Sequence, residues 1–192
     1  DSTVALLALN AGEYDYRAEN SSKAWATAYK TPNVEKGFIQ KVDIKHNRSS
    51  GTQAFVFNTR PEIFKDKRVR QAPAYAFDLE WSNKNLFYGQ YARTRSYFDN
   101  SELAATGVPE GDELALLTPY RGRIPDQVFT QEYNPPKSDG SGNIRRNLRK
   151  ASQILTDAGW RVQGRNRVNE KTGRALTFEV LLVSPLFERV VL

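Results

Sequence analysis

Hydrophobic residues recur at helical spacing in several stretches of the chain, and two of these stretches predict amphipathic helices. Between Ile144 and Trp160, an apolar stripe opposes a basic face, and Gly159 stands where a left-handed C-terminal cap belongs. After Asp66, which can accept hydrogen bonds from the first turn, the same periodicity continues to Phe77. Because Pro73 lacks an N–H donor inside this second helix, we expect a bend or break near residues 71–73.

Shorter helices are predicted elsewhere from caps and spacing. Residues 1–11 predict a helix that Gly12 ends, and Ser21 or Ser22 can cap a second one. Further helices are expected over 79–89 and 111–117, whereas 101–137 otherwise predicts a long loop rich in proline and glycine.

Alternation of apolar and polar residues predicts β-strands between these helices. The expected strands are 13–16, 38–46, 53–58, 160–162 and 176–183, and a polar, hairpin-like loop with Asn169 and Gly173 is expected to join the last two. The last strand is apolar on both faces at its end, so it is expected inside a sheet. The interleaving of helices and strands predicts an α/β fold.

Composition narrows the class of protein without fixing its compartment. The 192 residues are 39% hydrophobic and 26% charged, which predicts a globular chain. With no cysteine there is no disulfide or thiolate chemistry, and this fits both the cytosol and the periplasm. No apolar run approaches the roughly 20 residues of a spanning helix. The chain has no methionine and begins and ends inside apolar patterns, so we expect both ends to lie within a longer polypeptide.

The net charge of +6 is unevenly distributed. Residues 101–140 carry three Lys or Arg against seven Asp or Glu, whereas residues 141–192 carry ten against four. A basic surface of this kind can bind nucleic acid or acidic headgroups. No nucleic-acid motif accompanies it, so a solvated helix face and a basic loop are the preferred interpretation.

Residue patterns for catalysis are absent from the sequence. There is no Gly-rich phosphate loop, no paired metal ligands and no nucleophile elbow, and the one histidine, His46, is interpreted as exposed. We therefore expect a non-enzymatic protein without a cofactor or a metal. Tyr97 and Phe98, beside polar loop residues, are candidates for lining a pocket.

Three motifs carry a resemblance to a known family. The run from Phe57 to Asp78, with its Asn-Thr-Arg-Pro corner and Arg-Val-Arg-Gln-Ala core, resembles the signature of the peptide and nickel family of extracellular solute-binding proteins, the receptors of ABC importers. Ala11 to Asp15 is similar to its AGExD element, and the helix ending at Trp160 to its AGW element. Residues 77–107 and 138–143 resemble the periplasmic oligopeptide-binding subgroup whose importer also takes up microcin C. Pro73 departs from the family, which usually has leucine there.

The resemblance implies an architecture. It predicts the second lobe of a two-lobed, periplasmic binding protein-like (type II) receptor, a mixed sheet with flanking helices. Residues 1–58 would be the tail of the first-lobe segment and the crossover strand. Residues 59–192 would be the second-lobe segment, truncated at its C-terminal end.

The resemblance also implies a function and partners. The expected function is capture of oligopeptides in a Gram-negative periplasm and delivery to the membrane permease of an ABC importer, by a monomer that neither binds nucleic acid nor inserts into the membrane. The alternatives from other classes are a basic domain that binds nucleic acid or an anionic ligand, and a hydrolase.

The resemblance implies ligand contacts just after the AGExD element and along the crossover strand that ends in the Asn-Thr corner. Arg17 could hold a carboxylate or phosphate and Glu19 an amine, although both also fit ordinary surface charges. Extended strands offer backbone donors and acceptors to a peptide main chain. The residues implied by the resemblance are Tyr16, Arg17, Glu19, Gln53, Val56 and Asn58.

Overall fold

The computed structural model describes residues 1–183 and 187–191, which form two compact units. Unit 1 comprises Asp1–Lys45 and Ser82–Tyr91, and unit 2 comprises His46–Trp81 and Ala92–Leu192. The domain boundary expected at residue 58 remains a prediction.

Helices make up most of the regular structure. Unit 1 contains α1 (Ser2–Ala11), α2 (Ser22–Thr27) and α3 (Pro32–Glu35), and α5 (Leu79–Leu86) has residues in both units. The elements of unit 2 are a 3₁₀ turn (Glu62–Phe64), α4 (Lys67–Ala76), α6 (Gly111–Leu117), a second 3₁₀ turn (Thr118–Tyr120), α7 (Gln127–Thr130), α8 (Arg145–Asp157), β1 (Trp160–Gln163), β2 (Asn166–Asn169) and α9 (Glu188–Val191).

The helix caps predicted from the sequence are confirmed. Gly12 ends α1 with a φ of 76°, and its N–H donates to the carbonyls of Ala8 and Leu9. The Ser21 hydroxyl accepts from the N–H of Ala24 at 3.2 Å, and the Asp66 carboxylate accepts from the N–H of Arg68 at 2.8 Å. Gly159 follows α8 with a φ of 84°. Positions 12 and 159 need glycine because L side chains are strained at positive φ.

Of the bend or break predicted near residues 71–73, the break is wrong, because α4 continues through Pro73 to Ala76, and the bend stays a prediction. The carbonyl of Pro73 accepts from the N–H of Phe77 at 2.9 Å, so hydrogen bonding resumes one turn later. Val69 and Ala72 are buried on the face of α4, and α4 packs against α8. Tertiary packing therefore holds the helix despite the missing donor.

The core of unit 2 forms around Phe64, Val69 and Trp160. The Phe64 ring lies 5.1 Å from that of Phe57 and 5.6 Å from that of Phe178, measured between centroids. Such tilted aromatic pairs are favourable beyond their buried area. The partly buried residues that pack against this cluster are Phe57, Ile63, Leu155, Ala158 and Leu176.

Two arginines of the family signature hold this core together. The Arg68 Nη1 donates to the Asp157 carbonyl at 2.6 Å, at the end of α8, and Nη2 lies 2.7 Å from the Asp66 carboxylate. Arg70 donates to the carbonyls of Phe64 and Lys65, the latter at 2.9 Å. The signature run thus links the start of α4 to the end of α8 and to the preceding turn.

A two-stranded antiparallel sheet follows α8, and β1 confirms the strand predicted at residues 160–162. Its predicted partner, residues 176–183, is wrong, because β1 pairs with β2 inside the stretch predicted as the connecting loop. Trp160 pairs with Asn169, and Gln163 with Asn166. The Arg167 Nη1 donates to the Trp160 carbonyl at 2.8 Å and to the Thr156 hydroxyl at 3.3 Å, which joins the hairpin to α8.

The four other predicted strands are wrong: residues 13–16, 38–46, 53–58 and 176–183 carry no strand. A strand needs a neighbour that exchanges backbone hydrogen bonds with it, and no such ladder forms beside these segments among the described residues. The mixed sheet implied by the resemblance is likewise not formed by residues 1–183 and 187–191. Residues 184–186 and 192 of the terminal apolar segment lie outside the described residues. None of the described helices is long and apolar enough to cross a membrane.

Candidate functional site

Arg17 and Glu19 lie in a hydrogen-bonded cluster of unit 1, which we call the Arg17 cluster: Ser2, Arg17, Glu19, Ser21 and Tyr29. The Arg17 Nε lies 3.3 Å from the Glu19 carboxylate and 3.2 Å from the Tyr29 hydroxyl, which in turn donates to Glu19 at 2.9 Å. The Arg17 Nη2 donates to the Ser2 hydroxyl at 2.8 Å. Of the side-chain surface, only 13% of Arg17 and 5% of Glu19 is exposed. The two charges therefore neutralise each other inside unit 1.

The ionisation of the Arg17 cluster follows from these contacts. Burial alone would raise the pKa of Glu19, but hydrogen bonds from the Ser21 N–H, Tyr29 and Arg17 lower it below its ordinary value. Hydrogen bonds to the side chains of Tyr14 and Tyr29, followed by the Glu19 contact, raise the pKa of Arg17 above its ordinary value. Burial, then the hydrogen bond to Glu19, raises the pKa of Tyr29. The cluster is thus a charged ion pair at neutral pH with a neutral phenol beside it.

Tyr29 is the member of this cluster that the sequence did not reveal. It is buried, and its ring lies 6.0 Å from that of Trp25, between centroids. Trp25 and Tyr29 are four residues apart, a spacing that predicts one shared helix face. The Glu19 carboxylate that accepts from the Tyr29 hydroxyl lies ten residues upstream, and no local pattern indicates that contact.

Tyr16 precedes this cluster and has a different environment. Its side chain is 77% exposed, whereas Tyr14, two residues earlier, donates its hydroxyl to the Ala5 carbonyl at 2.5 Å. Tyr16 is therefore available for contact, while Tyr14 fixes the segment to α1.

The predicted contact segment 53–58 of unit 2 keeps the side-chain alternation of a strand without its ladder. The Phe55 ring packs at 5.7 Å on Phe77, and the Phe57 ring packs on Phe64, whereas the intervening Val56 is 91% exposed. Among the described residues, the backbone N–H and C=O groups of residues 52–57 have no hydrogen-bond partner. Gln53 is exposed at the start of this row of free donors and acceptors.

Asn58 forms the corner at the end of this segment. Its side-chain oxygen accepts from the N–H of Arg60 at 3.1 Å, an Asx turn that leads into Pro61. The corner predicted from Asn-Thr-Arg-Pro is confirmed, and the Asn58 side chain is exposed.

Tyr97 and Phe98 lie on an exposed loop of unit 2. The Tyr97 side chain is 91% exposed, and the Phe98 carbonyl accepts from the Ser101 hydroxyl at 2.6 Å. Nearby, the Asn100 amide donates to the carbonyls of His46 and Arg48, both at 2.9 Å, so the loop is tied to the segment that precedes residue 53. The pocket role of Tyr97 and Phe98 stays a prediction.

Within residues 1–183 and 187–191, no group of three or more His, Cys, Asp or Glu side chains could hold a metal ion. At the residues predicted to contact a ligand, the described part of the chain offers a neutralised ion pair, exposed aromatic side chains and a stretch of backbone without hydrogen-bond partners.

Three relatives resemble the chain over most of its length. It is 47% identical to "Uncharacterized protein YejA" of Escherichia coli over 182 residues, covering 95% of this chain and 30% of that protein. It is 40% identical to "Probable peptide-binding protein YejA" of Agrobacterium fabrum, covering 100% of this chain and 32% of the relative. It is 36% identical to "Peptidoglycan-binding protein YepA" of the same organism, covering 88% and 27%. The chain thus spans less than a third of the length of these relatives.

The family comparison agrees with the motifs. The sequence model described as "Bacterial extracellular solute-binding proteins, family 5 Middle" matches residues 1–185, which include all three motifs. The chain therefore belongs to the family 5 bacterial extracellular solute-binding proteins.

Proposed function

We propose that the protein containing this chain captures oligopeptides in the periplasm and delivers them to the membrane permease of an ABC importer. The family membership and the name of the Agrobacterium fabrum relative YejA, a probable peptide-binding protein, support this function. Binding rather than covalent chemistry is its mechanism, with closure of two lobes around the ligand. Family 5 receptors have the type II periplasmic binding protein fold, and we assign residues 59–192 to the second lobe.

The observation that carries the proposal is the match of residues 1–185 to the family 5 model, and the proposed contact is the backbone of residues 52–57, which has no hydrogen-bond partner among the described residues. An extended segment with unpaired N–H and C=O groups can add a peptide as a further strand, and this mode recognises the main chain in preference to particular side chains. Phe55 and Phe57 anchor the segment to unit 2 through ring contacts, so it is positioned before a ligand arrives. Positioning in advance lowers the entropy lost on binding.

The proposed side-chain contacts divide according to their environment. Tyr16, Gln53, Val56 and Asn58 are exposed and can contact a ligand as they stand. Arg17 and Glu19 already satisfy each other, so a terminal carboxylate or amine of the ligand would have to compete with the internal pair. We therefore assign most of the recognition to the backbone and to exposed aromatic and amide groups.

Peptides released from the cell wall are a second ligand class. The Agrobacterium relative YepA is named as a peptidoglycan-binding protein, and it is 36% identical to this chain. A muropeptide shares the amide backbone that residues 52–57 could pair with, and it differs in carrying an amino sugar.

The test measures the thermal unfolding of the full-length protein with peptide ligands, after mass spectrometry of whatever copurifies. A ligand that binds only the folded state raises the melting temperature. We expect a rise with a pool of three- to six-residue peptides and a loss of that rise when the same peptides are N-methylated along the backbone, because methylation removes the main-chain donors.

The controls separate the two ligand classes. A mixture of free amino acids at equal concentration should leave the melting temperature unchanged. A larger rise with muropeptides than with plain peptides would assign the cell-wall class. Equal rises with methylated and unmethylated peptides would contradict backbone recognition, and no rise with any peptide would overturn the proposed function.

A further inference from the structure

A basic cleft lies on unit 2, and none of the proposed peptide contacts lines it. Its volume is about 800 Å³, within the range of small-molecule sites. It is lined by Tyr75 of α4, by one face of α8, and by Pro136 and Lys137 of the loop that precedes α8. The residues that α8 contributes are Arg146, Asn147, Arg149, Lys150 and Gln153.

The charge of this cleft is entirely positive. Lys137, Arg146, Arg149 and Lys150 line it, and no carboxylate does. Among the described residues, none of these four cations pairs with an Asp or Glu side chain, although Arg17, Lys65, Arg68, Arg93, Arg95 and Arg161 all do. The cations of the cleft are therefore left without a protein counter-charge.

The cleft is built by α8 and the loop before it. Arg146, Arg149 and Lys150 are spaced by three and four residues, so their side chains lie on one face of the helix. The Asn147 amide donates to the Lys137 carbonyl at 3.1 Å, which holds the fourth cation beside that face. The buried Ala151 places the opposite face of α8 in unit 2. The four cationic residues are exposed and line one cleft because α8 and the loop before it fix their backbones, and like charges on one face repel until an anion is present.

We infer that this cleft binds a compact ligand carrying two or more phosphate groups. Arginine presents a planar fork of N–H donors that matches phosphate oxygens, and lysine adds point charges. Four cations in one cleft exceed the charge of a single carboxylate and match that of a diphosphate or triphosphate. The Tyr75 ring and Pro136 supply an apolar wall for the part of the ligand that bears these groups. The phosphates can belong to a soluble ligand or to a lipid headgroup, and the two sources differ in the experiment that detects them.

The test is calorimetric titration of the full-length protein with inorganic tripolyphosphate at 20 and 150 mM NaCl. The cleft variant combines Arg146→Gln, Arg149→Gln and Lys150→Gln. The control variant combines Arg165→Gln, Lys171→Gln and Arg174→Gln, which removes the same charge from exposed positions outside the cleft lining. Circular dichroism and the melting temperature establish that both variants fold.

We expect the cleft variant to bind at least about 10-fold more weakly, because hydrogen bonds between charged groups are lost. The control variant should differ from the wild type by less than about 3-fold at 150 mM salt, where charges beyond roughly 8 Å are screened. Equal weakening in both variants would show that only net charge matters and would overturn the inference.

A second measurement distinguishes the source of the phosphates. Vesicles of phosphatidylcholine with 20 mol% cardiolipin, our choice of composition, are pelleted with the same three proteins. Pelleting of the wild type and the control, but not of the cleft variant, would assign a lipid headgroup. Tripolyphosphate binding without pelleting would assign a soluble phosphate ligand. Absence of both tripolyphosphate binding and pelleting would overturn the inference, whatever the peptide experiments show.

Discussion

Removing the Glu19 carboxylate tests whether the Arg17 cluster holds unit 1 together. In Glu19→Ala, the Arg17 guanidinium keeps the Ser2 and Tyr29 hydroxyls but loses its counter-charge, with only 13% of its side chain exposed. Breaking a fully buried pair costs about 3–5 kcal/mol, and losing a hydrogen bond to a charged group costs about 1.5–3 kcal/mol. Because two of the hydroxyl partners of Arg17 remain, we expect the free energy of unfolding to fall by about 2–4 kcal/mol.

The pH dependence gives a second signature of the same pair. The pKa of Glu19 is lowered in the folded protein, so its stabilising contribution is present above the unfolded pKa and is lost as the pH falls through the folded value. In Glu19→Gln, no charge titrates at this position. The difference in stability between wild type and this variant should therefore be largest near pH 7 and should shrink below about pH 4, close to the ordinary pKa of glutamate.

Urea unfolding followed by tryptophan fluorescence measures these differences at about pH 7, 5, 4 and 3, which spans the ordinary pKa of glutamate. Trp25 lies in unit 1 beside Tyr29 and reports on this cluster. The matched control is Glu62→Ala, which breaks an ion pair with Lys65 whose side chains are 72% and 56% exposed and should cost less than about 0.5 kcal/mol. Equal losses in Glu19→Ala and Glu62→Ala, or a Glu19→Gln difference that stays constant with pH, would refute the reasoning.

Three further substitutions probe unit 2, each measured by the same urea titration. Phe64→Ala removes a buried ring that contacts two others, so the free energy of unfolding should fall by about 3–5 kcal/mol; a loss below 1 kcal/mol would contradict its central place in the core. Gly159→Ala should cost about 1–2 kcal/mol at a φ of 84°, whereas Gly51→Ala, where φ is not positive, should be nearly neutral. Pro73→Ala restores a helical N–H donor and should stabilise the protein by about 1–3 kcal/mol. Destabilisation would show that packing of the proline ring contributes more to the free energy of unfolding than the restored hydrogen bond does.

The helices were predictable because their signals are local. Asp66 accepts a hydrogen bond two residues away, and Gly12 and Gly159 adopt the left-handed conformation that their position after a helical stripe indicated. A break at Pro73 was predicted from the same local chemistry and was wrong. The packing of α4 against α8 holds the helix, and the sequence of the helix alone does not predict that packing.

The strands failed for the opposite reason. At residues 53–58, Phe55 and Phe57 contact the rings of Phe77 and Phe64, while the intervening Val56 is exposed, so the side chains alternate as in a strand. The alternation could not supply the neighbouring strand, since β-structure depends on hydrogen bonds to a partner that is not local in sequence. The partnership of Arg17 with Tyr29 was not predicted for a related reason: Tyr29 lies 12 residues from Arg17 and 10 from Glu19, so no local pattern indicates their contacts.

The hydrogen bond from Arg68 to the Asp157 carbonyl joins residues that are 89 positions apart. Folding of unit 2 therefore has to close a long loop before the contact between α4 and α8 repays the lost entropy, which favours slow folding. Because the entropic cost of closing a loop grows only with the logarithm of its length, the loop between α4 and α8 tolerates added residues. Doubling it would add only about 0.6 kcal/mol to the closure free energy, so an insertion in the exposed residues 131–134 should leave the pairing of the two helices intact.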